Sequence, residues 1–180
     1  MKQRLKNIIK NYSYEKREVT LASGRKSNFY FDGKQTTLNA EGAYLVGKLM
    51  FNIIKELPVK IDAVGGPTIG ADPIATAIAI VSYLESTPLN AFIVRKEPKG
   101  HGKKLWIEGN KNLKKGCSVA IVEDVITTGG SILKAIDIVE KEGYKIGAVI
   151  VLVDREEGGR ENIEKAGYKL YSLFKKSEIV

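Results

Sequence analysis

The order of hydrophobic and polar positions predicts strands that alternate with helices along most of the chain. Four apolar runs have the length and composition of buried strands, and they occupy residues 61–64, 90–94, 118–122 and 146–153. Helical spacing follows the first run in residues 74–84, and it follows the third in Ile132, Leu133, Ile136 and Val139. This alternation predicts a parallel sheet flanked by helices, in which ligands bind at the carboxyl ends of the strands. The candidate sites are the loops after Val64, Val94, Val122 and Val153.

Local signals predict the ends of several helices. Asn39 is of a residue type that caps helix N-termini, and it precedes an apolar face formed by Leu45, Val46, Leu49, Met50, Ile53 and Ile54. Pro58 ends that helix, and Gly143 stands where a C-cap glycine is expected after the helix that follows the third strand. The first residues predict a short helix, and residues 20–33 predict a strand or hairpin around three aromatic side chains.

Composition limits the class of protein. The chain has 180 residues, of which 43% are hydrophobic and 28% charged, enough to bury the core of one domain. The single cysteine, Cys117, and the single histidine, His101, exclude a disulfide framework, a multi-cysteine metal site and a two-histidine metal motif. The uncharged stretch 73–84 is shorter than the roughly 18 residues that a membrane span needs. Because the N-terminus is also too charged for a signal peptide, we expect a cytoplasmic protein.

The formal net charge of +8 indicates affinity for anions, which include nucleic acids, acidic membranes and phosphorylated metabolites. The lysines are spread along the chain, and no zinc-finger or aromatic RNA-binding signature accompanies them. We therefore expect neither a nucleic-acid partner nor a membrane partner. Phosphorylated small molecules are the expected ligands of the loops at the strand ends.

The most specific motif spans residues 120–131, Ala-Ile-Val-Glu-Asp-Val-Ile-Thr-Thr-Gly-Gly-Ser. A buried strand leads into two adjacent carboxylates and then into a loop of small residues that begins a helix. The loop's backbone N–H groups can surround a phosphate at the helix N-terminus. Glu123 and Asp124 can accept hydrogen bonds from vicinal ribose hydroxyls, or approach a metal. An ordinary strand-to-helix turn with two solvated acids is the alternative, but paired carboxylates, hydroxyls and glycines together favour a phosphorylated sugar.

This motif resembles the phosphoribosyl-pyrophosphate (PRPP) binding motif of type I phosphoribosyltransferases. The resemblance implies their α/β fold, a parallel sheet core flanked by helices with a small N-terminal hood. Residues 1–180 would be a single domain, with a hood of about 1–38 and a core of about 39–180. It also implies Mg²⁺ as cofactor, bound by substrate oxygens and water with no metal-ligating side chain. The implied PRPP-binding residues are Arg95, Lys96, Lys99, His101, Glu123, Asp124, Val125, Ile126, Thr127, Thr128, Gly129, Gly130 and Ser131.

A second constellation is the basic, glycine-containing segment 95–104, Arg-Lys-Glu-Pro-Lys-Gly-His-Gly-Lys-Lys. Nothing in it is suited to a core, and we expect residues 95–109 to form a loop. A solvated surface loop is the alternative, but this segment leaves the end of a predicted strand. It closely resembles the mobile catalytic loop of the orotate phosphoribosyltransferase family, which closes over PRPP partly from the neighbouring subunit. The resemblance implies a homodimer with shared active sites and catalytic roles for Lys99, His101 and Asp124.

Two further segments resemble the parts of that family that border the base. Residues 20–32 contain Ser-Gly-x-x-Ser before an aromatic strand, although by themselves they favour a packed hairpin. Asp154-Arg155 ends the fourth strand, where an ion-paired turn is the alternative and the family places a substrate-binding arginine. The implied orotate-binding residues are Thr127, Arg155 and the backbone of Tyr30 and Phe31. Two family lysines are absent, one at Ala22 and one in the loop 66–73.

The four segments together predict a member of the orotate phosphoribosyltransferase family. Such enzymes transfer the phosphoribosyl group of PRPP to orotate and release pyrophosphate, in pyrimidine biosynthesis. A purine phosphoribosyltransferase would share the 120–131 motif without needing the 95–104 segment. The sequence is also compatible with a PRPP-binding regulator without catalysis and with a charge-driven nucleic-acid-binding protein.

Overall fold

The structure is a computed structural model that describes residues 1–15, 19–20, 26–27, 30–99 and 105–180. The helices in this part of the chain are α1 (Lys2–Ile8), α2 (Lys34–Thr37), α3 (Ala40–Lys55), α4 (Ala71–Leu84), α5 (Gly130–Lys141), α6 (Gly159–Lys165) and α7 (Lys176–Ile179). The strands are β1 (Tyr14–Glu15), β2 (Val19–Thr20), β3 (Lys26–Ser27), β4 (Tyr30–Phe31), β5 (Ala63–Pro67), β6 (Asn90–Lys99), β7 (Leu105–Glu108), β8 (Ser118–Ile126), β9 (Lys145–Asp154) and β10 (Leu170–Lys175).

Six strands form one sheet in the order β10-β9-β8-β5-β6-β7. The first five of these strands are parallel, and β7 pairs with β6 in the antiparallel direction. One face of the sheet packs against α1, α3 and α4, and the other packs against α5 and α6. The predicted parallel sheet flanked by helices is therefore confirmed. The carboxyl ends of β5, β6, β8 and β9 meet at one end of the sheet, where ligands bind in such folds.

Two predicted helix ends have the expected geometry. The side chain of Asn39 accepts a hydrogen bond from the backbone N–H of Gly42 at 2.9 Å and caps α3. Gly143 follows α5 with a φ of +89°, and its N–H donates to the carbonyl of Glu140. Such left-handed backbone favours glycine, which is why the residue type alone identified this end.

Three strands extend further than their apolar runs predicted. β8 continues through Glu123 and Asp124 to Ile126, because β9 pairs with it as far as Asp154. The prediction of a loop over 95–109 is wrong at both ends. Residues 95–99 belong to β6, and residues 105–108 form β7, which pairs with β6. β5 runs through Gly65 and Gly66 to Pro67 rather than turning at the glycines.

The glycines of β5 are required by close packing. A Cβ at Gly65 would lie 2.3 Å from the carbonyl oxygen of Phe92, and one at Gly66 would lie 2.1 Å from that of Val122. Such contacts are far inside van der Waals distance, so β5 can pair with β6 and β8 there only if both residues lack side chains.

The N-terminal segment packs against the core. Leu5 of α1 and Phe31 of β4 belong to the cluster that fills one face of the sheet. β1 pairs with β4, and the buried hydroxyls of Ser13 and Thr36 lie 2.6 Å apart and share a hydrogen bond. Within the described residues, every helix is too short or too polar to cross a membrane.

Candidate active site

Two buried carboxylates lie at the end of β8. Glu123 is 7% exposed and Asp124 is 5% exposed. Both contact Gly70 at the start of α4, where a Cβ would lie 2.1 Å from Glu123 Oε1 and 2.6 Å from Asp124 Oδ1. Asp124 also contacts Gly33, where a Cβ would lie 2.7 Å from Asp124 Oδ2. The glycines let backbone from α4 and from the N-terminal segment approach the carboxylate pair directly.

The protonation of this pair is strongly perturbed. Burial, reinforced by the charge of Asp124, raises the pKa of Glu123 to about 9. Burial also raises the pKa of Asp124, while hydrogen bonding with Glu123 and the positive charge of Lys34 oppose that rise. Of the two carboxyls, Asp124 is therefore the one that the structure favours as the anion. A neutral Glu123 beside an anionic Asp124 avoids placing two buried charges together.

The loop of small residues joins β8 to α5 as predicted. Gly129 has a φ of +84° and immediately precedes the first residue of α5, Gly130. Thr128, Gly130 and Ser131 are exposed, and a Cβ at Gly130 would meet no atom within 4 Å. The side-chain amide of Asn162 donates to the carbonyl of Thr128 at 2.9 Å and holds the loop from α6. This open helix N-terminus has the electrostatics of an anion site.

Arg155 lies beside this loop. Its backbone N–H donates to the carbonyl of Ile126 at 3.0 Å, and its largely buried guanidinium pairs with Glu157 at 2.8 Å. The next residue, Glu156, has a φ of +57° and accepts hydrogen bonds from the backbone N–H and the hydroxyl of Ser177. The turn after β9 is thus held from both sides, and it brings Arg155 next to the end of β8.

The first basic residues of the 95–104 segment lie at the same end of the sheet. Arg95 and Lys96 line a cavity of about 290 Å³ together with Ser131 of the small-residue loop. The Arg95 guanidinium donates to Glu108 Oε1 at 2.8 Å across the β6–β7 pair. Lys99 is exposed at the tip of β6, away from that cavity. The predicted His101 lies outside the described residues, as do residues 100 and 102–104.

The N-terminal segment reaches the carboxylates through Gly33. Phe31, two residues earlier, is buried in the core, and Tyr30 is half-buried. Lys34, one residue later, pairs with Asp32 at 2.6 Å. Tyr30 and Phe31 are therefore close in sequence to a backbone contact with Asp124. Ala22 and the residues around it lie outside the described part of the chain.

The side chains fit a Mg²⁺ ion that the substrate holds. Among the described residues, no three His, Cys, Asp or Glu side chains converge as a metal cluster would require. One buried carboxylate oxygen, Asp72 Oδ1 at the start of α4, has no hydrogen-bond partner, while Oδ2 accepts from Thr68. Carboxylate oxygens are the ligand type that Mg²⁺ takes in small numbers, along with phosphate oxygens and water.

Comparisons with known proteins identify the family. A family model described as phosphoribosyl transferase domain matches residues 34–173. The chain is 50% identical over 182 residues to the orotate phosphoribosyltransferase of Aquifex aeolicus, covering 99% of this chain and 97% of that one. This chain belongs to the orotate phosphoribosyltransferase family. The family predicted from the four segments is therefore confirmed.

Other members of the orotate phosphoribosyltransferase family agree. The protein of that name from Rhodopseudomonas palustris (strain BisB5) is 48% identical, over 98% of this chain and 95% of that one. The crystal structure of Mycobacterium tuberculosis H37Rv orotate phosphoribosyltransferase in complex with PRPP has a TM-score of 0.82 and 34% identity. It covers 99% of this chain and 98% of that chain. The predicted type I phosphoribosyltransferase fold is confirmed, and a purine phosphoribosyltransferase is not favoured.

The structure brings together most of the predicted residues and adds some that sequence reasoning missed. Gly33, Gly70 and Lys34 lie around the carboxylate pair, yet none of them was predicted to be there. The two glycines come shortly after strands that end at the predicted site, and this position in the sequence could have identified them. Nothing local marks Lys34, because its proximity to Asp124 arises from packing between distant segments. Ile126 was a predicted PRPP residue, but its side chain is buried in the core, which leaves only its backbone for a ligand.

Proposed function

We propose that this chain catalyses transfer of the 5-phosphoribosyl group from PRPP to orotate, giving orotidine 5′-monophosphate and pyrophosphate. The observation that carries the proposal is the sequence of groups along the end of β8. A buried carboxylate pair is followed by an open helix N-terminus, and Arg155 is tied to the same strand end by its backbone. These groups complement, in order, a ribose diol, a phosphate and a carboxylated base. The relatives named above carry the name of this activity.

In the proposed mechanism, Asp124 accepts hydrogen bonds from the ribose hydroxyls. Glu123, which stays neutral, takes part in the same hydrogen bonding. Backbone N–H groups of residues 127–131 bind the 5′-phosphate. Arg155, Thr127 and the backbone of Tyr30 and Phe31 hold orotate, whose nitrogen displaces pyrophosphate at the anomeric carbon. Catalysis then comes from positioning and from charge neutralisation rather than covalent chemistry.

Cations neutralise the leaving pyrophosphate. Arg95 and Lys96 already line one cavity with the phosphate loop, and Lys99 and His101 complete the set when the segment closes. Mg²⁺ would be held by substrate oxygens and water, with the unpartnered Asp72 Oδ1 as a further ligand atom, and would supply positive charge when bound. Closure over the ligand also excludes water, which strengthens every one of these interactions.

The proposed assembly is a homodimer in which the part of the 95–104 segment that carries Lys99 and His101 serves the site of the other subunit, whereas Arg95 and Lys96 stay at their own. Large apolar side chains are exposed along α4 and just before it: Ile69 is 60% exposed, Ile80 57%, Tyr83 74% and Leu84 73%. Apolar residues gathered on one helix are typical of protein interfaces. The proposal includes residues 1–38 as a hood on one domain, orotate and PRPP as the partners rather than nucleic acid, and a cytoplasmic location.

The test is a direct assay. Purified protein is mixed with PRPP, Mg²⁺ and orotate, and the loss of orotate absorbance is followed, with uracil, adenine and hypoxanthine as competing bases. We expect orotate to have the highest kcat/KM. Arg155→Ala should lower kcat/KM for orotate while leaving PRPP affinity nearly unchanged. A purine that outperforms orotate would disprove the base assignment and leave only the PRPP half of the proposal.

A further inference from the structure

Arg160, the second residue of α6, is a partly buried cation that has no role in the proposed mechanism. Its side chain is 27% exposed, and its guanidinium binds the two neighbouring strands at the edge of the sheet. Nε donates to Asp154 Oδ2 in β9 at 3.1 Å. The terminal nitrogens donate to the carbonyl of Leu170 at 2.8 Å and to the hydroxyl of Ser172 at 3.1 Å, both in β10. A planar guanidinium that is bound at all three nitrogens has a fixed orientation.

The carboxylate of Asp154 connects Arg160 to the turn that carries Arg155. Asp154 is 2% exposed and is the last residue of β9. Its Oδ2 accepts from Arg160, and its Oδ1 accepts a hydrogen bond from the backbone N–H of Glu156 at 2.9 Å. Because Asp154 and Glu156 flank Arg155, this hydrogen bond closes the backbone around Arg155. The geometry of the turn therefore depends on where the Asp154 carboxylate is held.

The burial of Asp154 explains why a cation is needed to hold it. A buried carboxylate stays ionised only when an opposite charge and hydrogen bonds compensate for its lost hydration. Arg160 supplies that charge at 3.1 Å. Without the guanidinium, the Asp154 carboxylate would take up a proton or move toward water. Either change would alter its hydrogen bond to Glu156, and we expect the turn to move with it.

We propose that Arg160 is a positioning residue for the base, which acts through Asp154 to fix the turn that presents the Arg155 guanidinium to the carboxylate of orotate. This role rests on the proposed function of Arg155. Arg155 is 8% exposed, so its side chain has little room to compensate for a displaced backbone. Binding of a carboxylate by a guanidinium depends on the alignment of both groups, so a small displacement of Arg155 should weaken orotate binding.

The contacts of Arg160 with β10 are a second role that the experiment has to separate from the first. Ser172→Ala removes one of these contacts and leaves the pair with Asp154 intact, so it measures the effect of loosening β10 alone. Arg160→Lys keeps a positive charge for Asp154 and gives up the planar fork, so it measures how much depends on that charge.

The experiment measures kcat/KM for orotate and KM for PRPP in wild type, Arg160→Met, Arg160→Lys, Ser172→Ala, Arg155→Ala and the double variant Arg155→Ala/Arg160→Met. In Arg160→Met, kcat/KM for orotate should fall by about tenfold, whereas KM for PRPP should change by less than about twofold. Arg160→Lys should recover most of that loss, and Ser172→Ala should behave as wild type. In the Arg155→Ala background, Arg160→Met should have almost no further effect, because the residue through which it acts is gone.

Four results would overturn the proposal. They are an unchanged kcat/KM for orotate in Arg160→Met, an equal rise in KM for PRPP, an equal loss in Ser172→Ala, and a full further loss in the Arg155→Ala background. Should Arg160→Met fail to fold, Asp154→Asn takes its place, since asparagine keeps an oxygen for the N–H of Glu156 and loses the charge that pairs with Arg160. Where turnover is too slow to follow, equilibrium dialysis with labelled orotate gives the same comparison.

Arg155→Ala separates this proposal from the proposed function. If that variant keeps the wild-type kcat/KM for orotate, the assignment of Arg155 to the base is itself wrong. If it loses activity toward orotate while Arg160→Met does not, only the positioning role of Arg160 is refuted.

Discussion

Replacement of Glu123 by glutamine is expected to stabilise the folded protein at neutral and alkaline pH, although the proposed function places Glu123 in the binding site. Burial and the adjacent Asp124 raise the pKa of Glu123 from 4.5 to about 9. Between these values the folded protein keeps a proton that the unfolded chain releases. The contribution of this proton to the free energy of unfolding is fully present below pH 4.5 and is lost as the pH rises toward 9. Glutamine has the same shape, stays neutral at every pH, and can still accept the 3.1 Å hydrogen bond from the N–H of Asp124.

The magnitude follows from the width of that pH window. Each pH unit above the pKa of the unfolded chain costs about 1.4 kcal/mol as long as the folded carboxyl stays protonated. At pH 7.5, three units above the starting value, the upper limit is about 4 kcal/mol. Since Glu123 and Asp124 share their protonation, we expect Glu123→Gln to raise the free energy of unfolding by about 2–4 kcal/mol at that pH. The gain should be small at pH 5 and should grow with pH.

Urea unfolding followed by the fluorescence of Trp106, the single tryptophan, measures this at several pH values. The protein concentration is held constant, because association contributes to apparent stability. Glu142→Gln, at an exposed position just after α5, serves as the control and should change stability little. If Glu123→Gln is no more stable than wild type at pH 7.5, or if its advantage is the same at pH 5 and pH 8, then Glu123 is not held neutral.

Three further predictions concern the packing, the shared site and the assembly. Gly70→Ala places a methyl group 2.1 Å from Glu123 Oε1, so KM for PRPP should rise by about tenfold or more. Gly116→Ala, before the start of β8, strains its own backbone at a φ of +77° and controls for general destabilisation, and it should leave KM unchanged. The variants Lys99→Ala and Asp124→Asn should each be inactive, and activity should return when they are mixed, because one of the two shared sites in a mixed dimer carries neither change. A verified mixed dimer without activity would contradict the shared site. Leu84→Glu should shift sedimentation toward the monomer, and an unchanged dimer would show that α4 is not the interface.

Much of the sheet could be predicted, because four of its strands contain an apolar run that is visible in the local sequence. The extensions were missed because pairing with distant strands overrides local preference. The segment from Arg95 to Lys99 is charged and contains Pro98, which locally indicates a loop. β5 ends at Pro67 opposite Val94, so β6 is unpaired on that side beyond Val94 and a proline without an N–H is tolerated there.

The C-terminal elements show a second reason for failure. β10 is an edge strand in which polar positions are mixed with buried apolar ones, and besides its pairing with β9 it is bound by Arg160 in α6. The Arg160 guanidinium donates to Asp154 at 3.1 Å, to the carbonyl of Leu170 at 2.8 Å and to the hydroxyl of Ser172 at 3.1 Å. Contacts of this kind join three elements and have no periodic signature. The sequence pattern therefore locates strands that carry a continuous apolar run better than an edge strand of mixed composition such as β10.

The same contrast applies to the site. The order of carboxylates at the end of β8, followed by hydroxyls and glycines, could be recognised in the sequence because these residues are contiguous. The approach of Gly33 and Gly70 to Asp124 was not, since it joins residues that are distant in the chain. What sequence reasoning recovers is the chemistry contributed by one loop. What it misses is the backbone from other segments that makes this chemistry selective.

The turn that carries Arg155, the proposed orotate-binding residue, has a consequence for redesigning the choice of base. Its neighbour Glu156 keeps an unusual positive φ and is bound by both polar groups of Ser177 in the last helix. Ser177, which has no role in the proposed mechanism, thus helps to hold the turn that presents the arginine. Libraries that aim to accept other pyrimidines should therefore randomise position 177 together with the pocket, because adaptive changes in specificity can arise at this remote anchor while the groups that bind PRPP stay untouched.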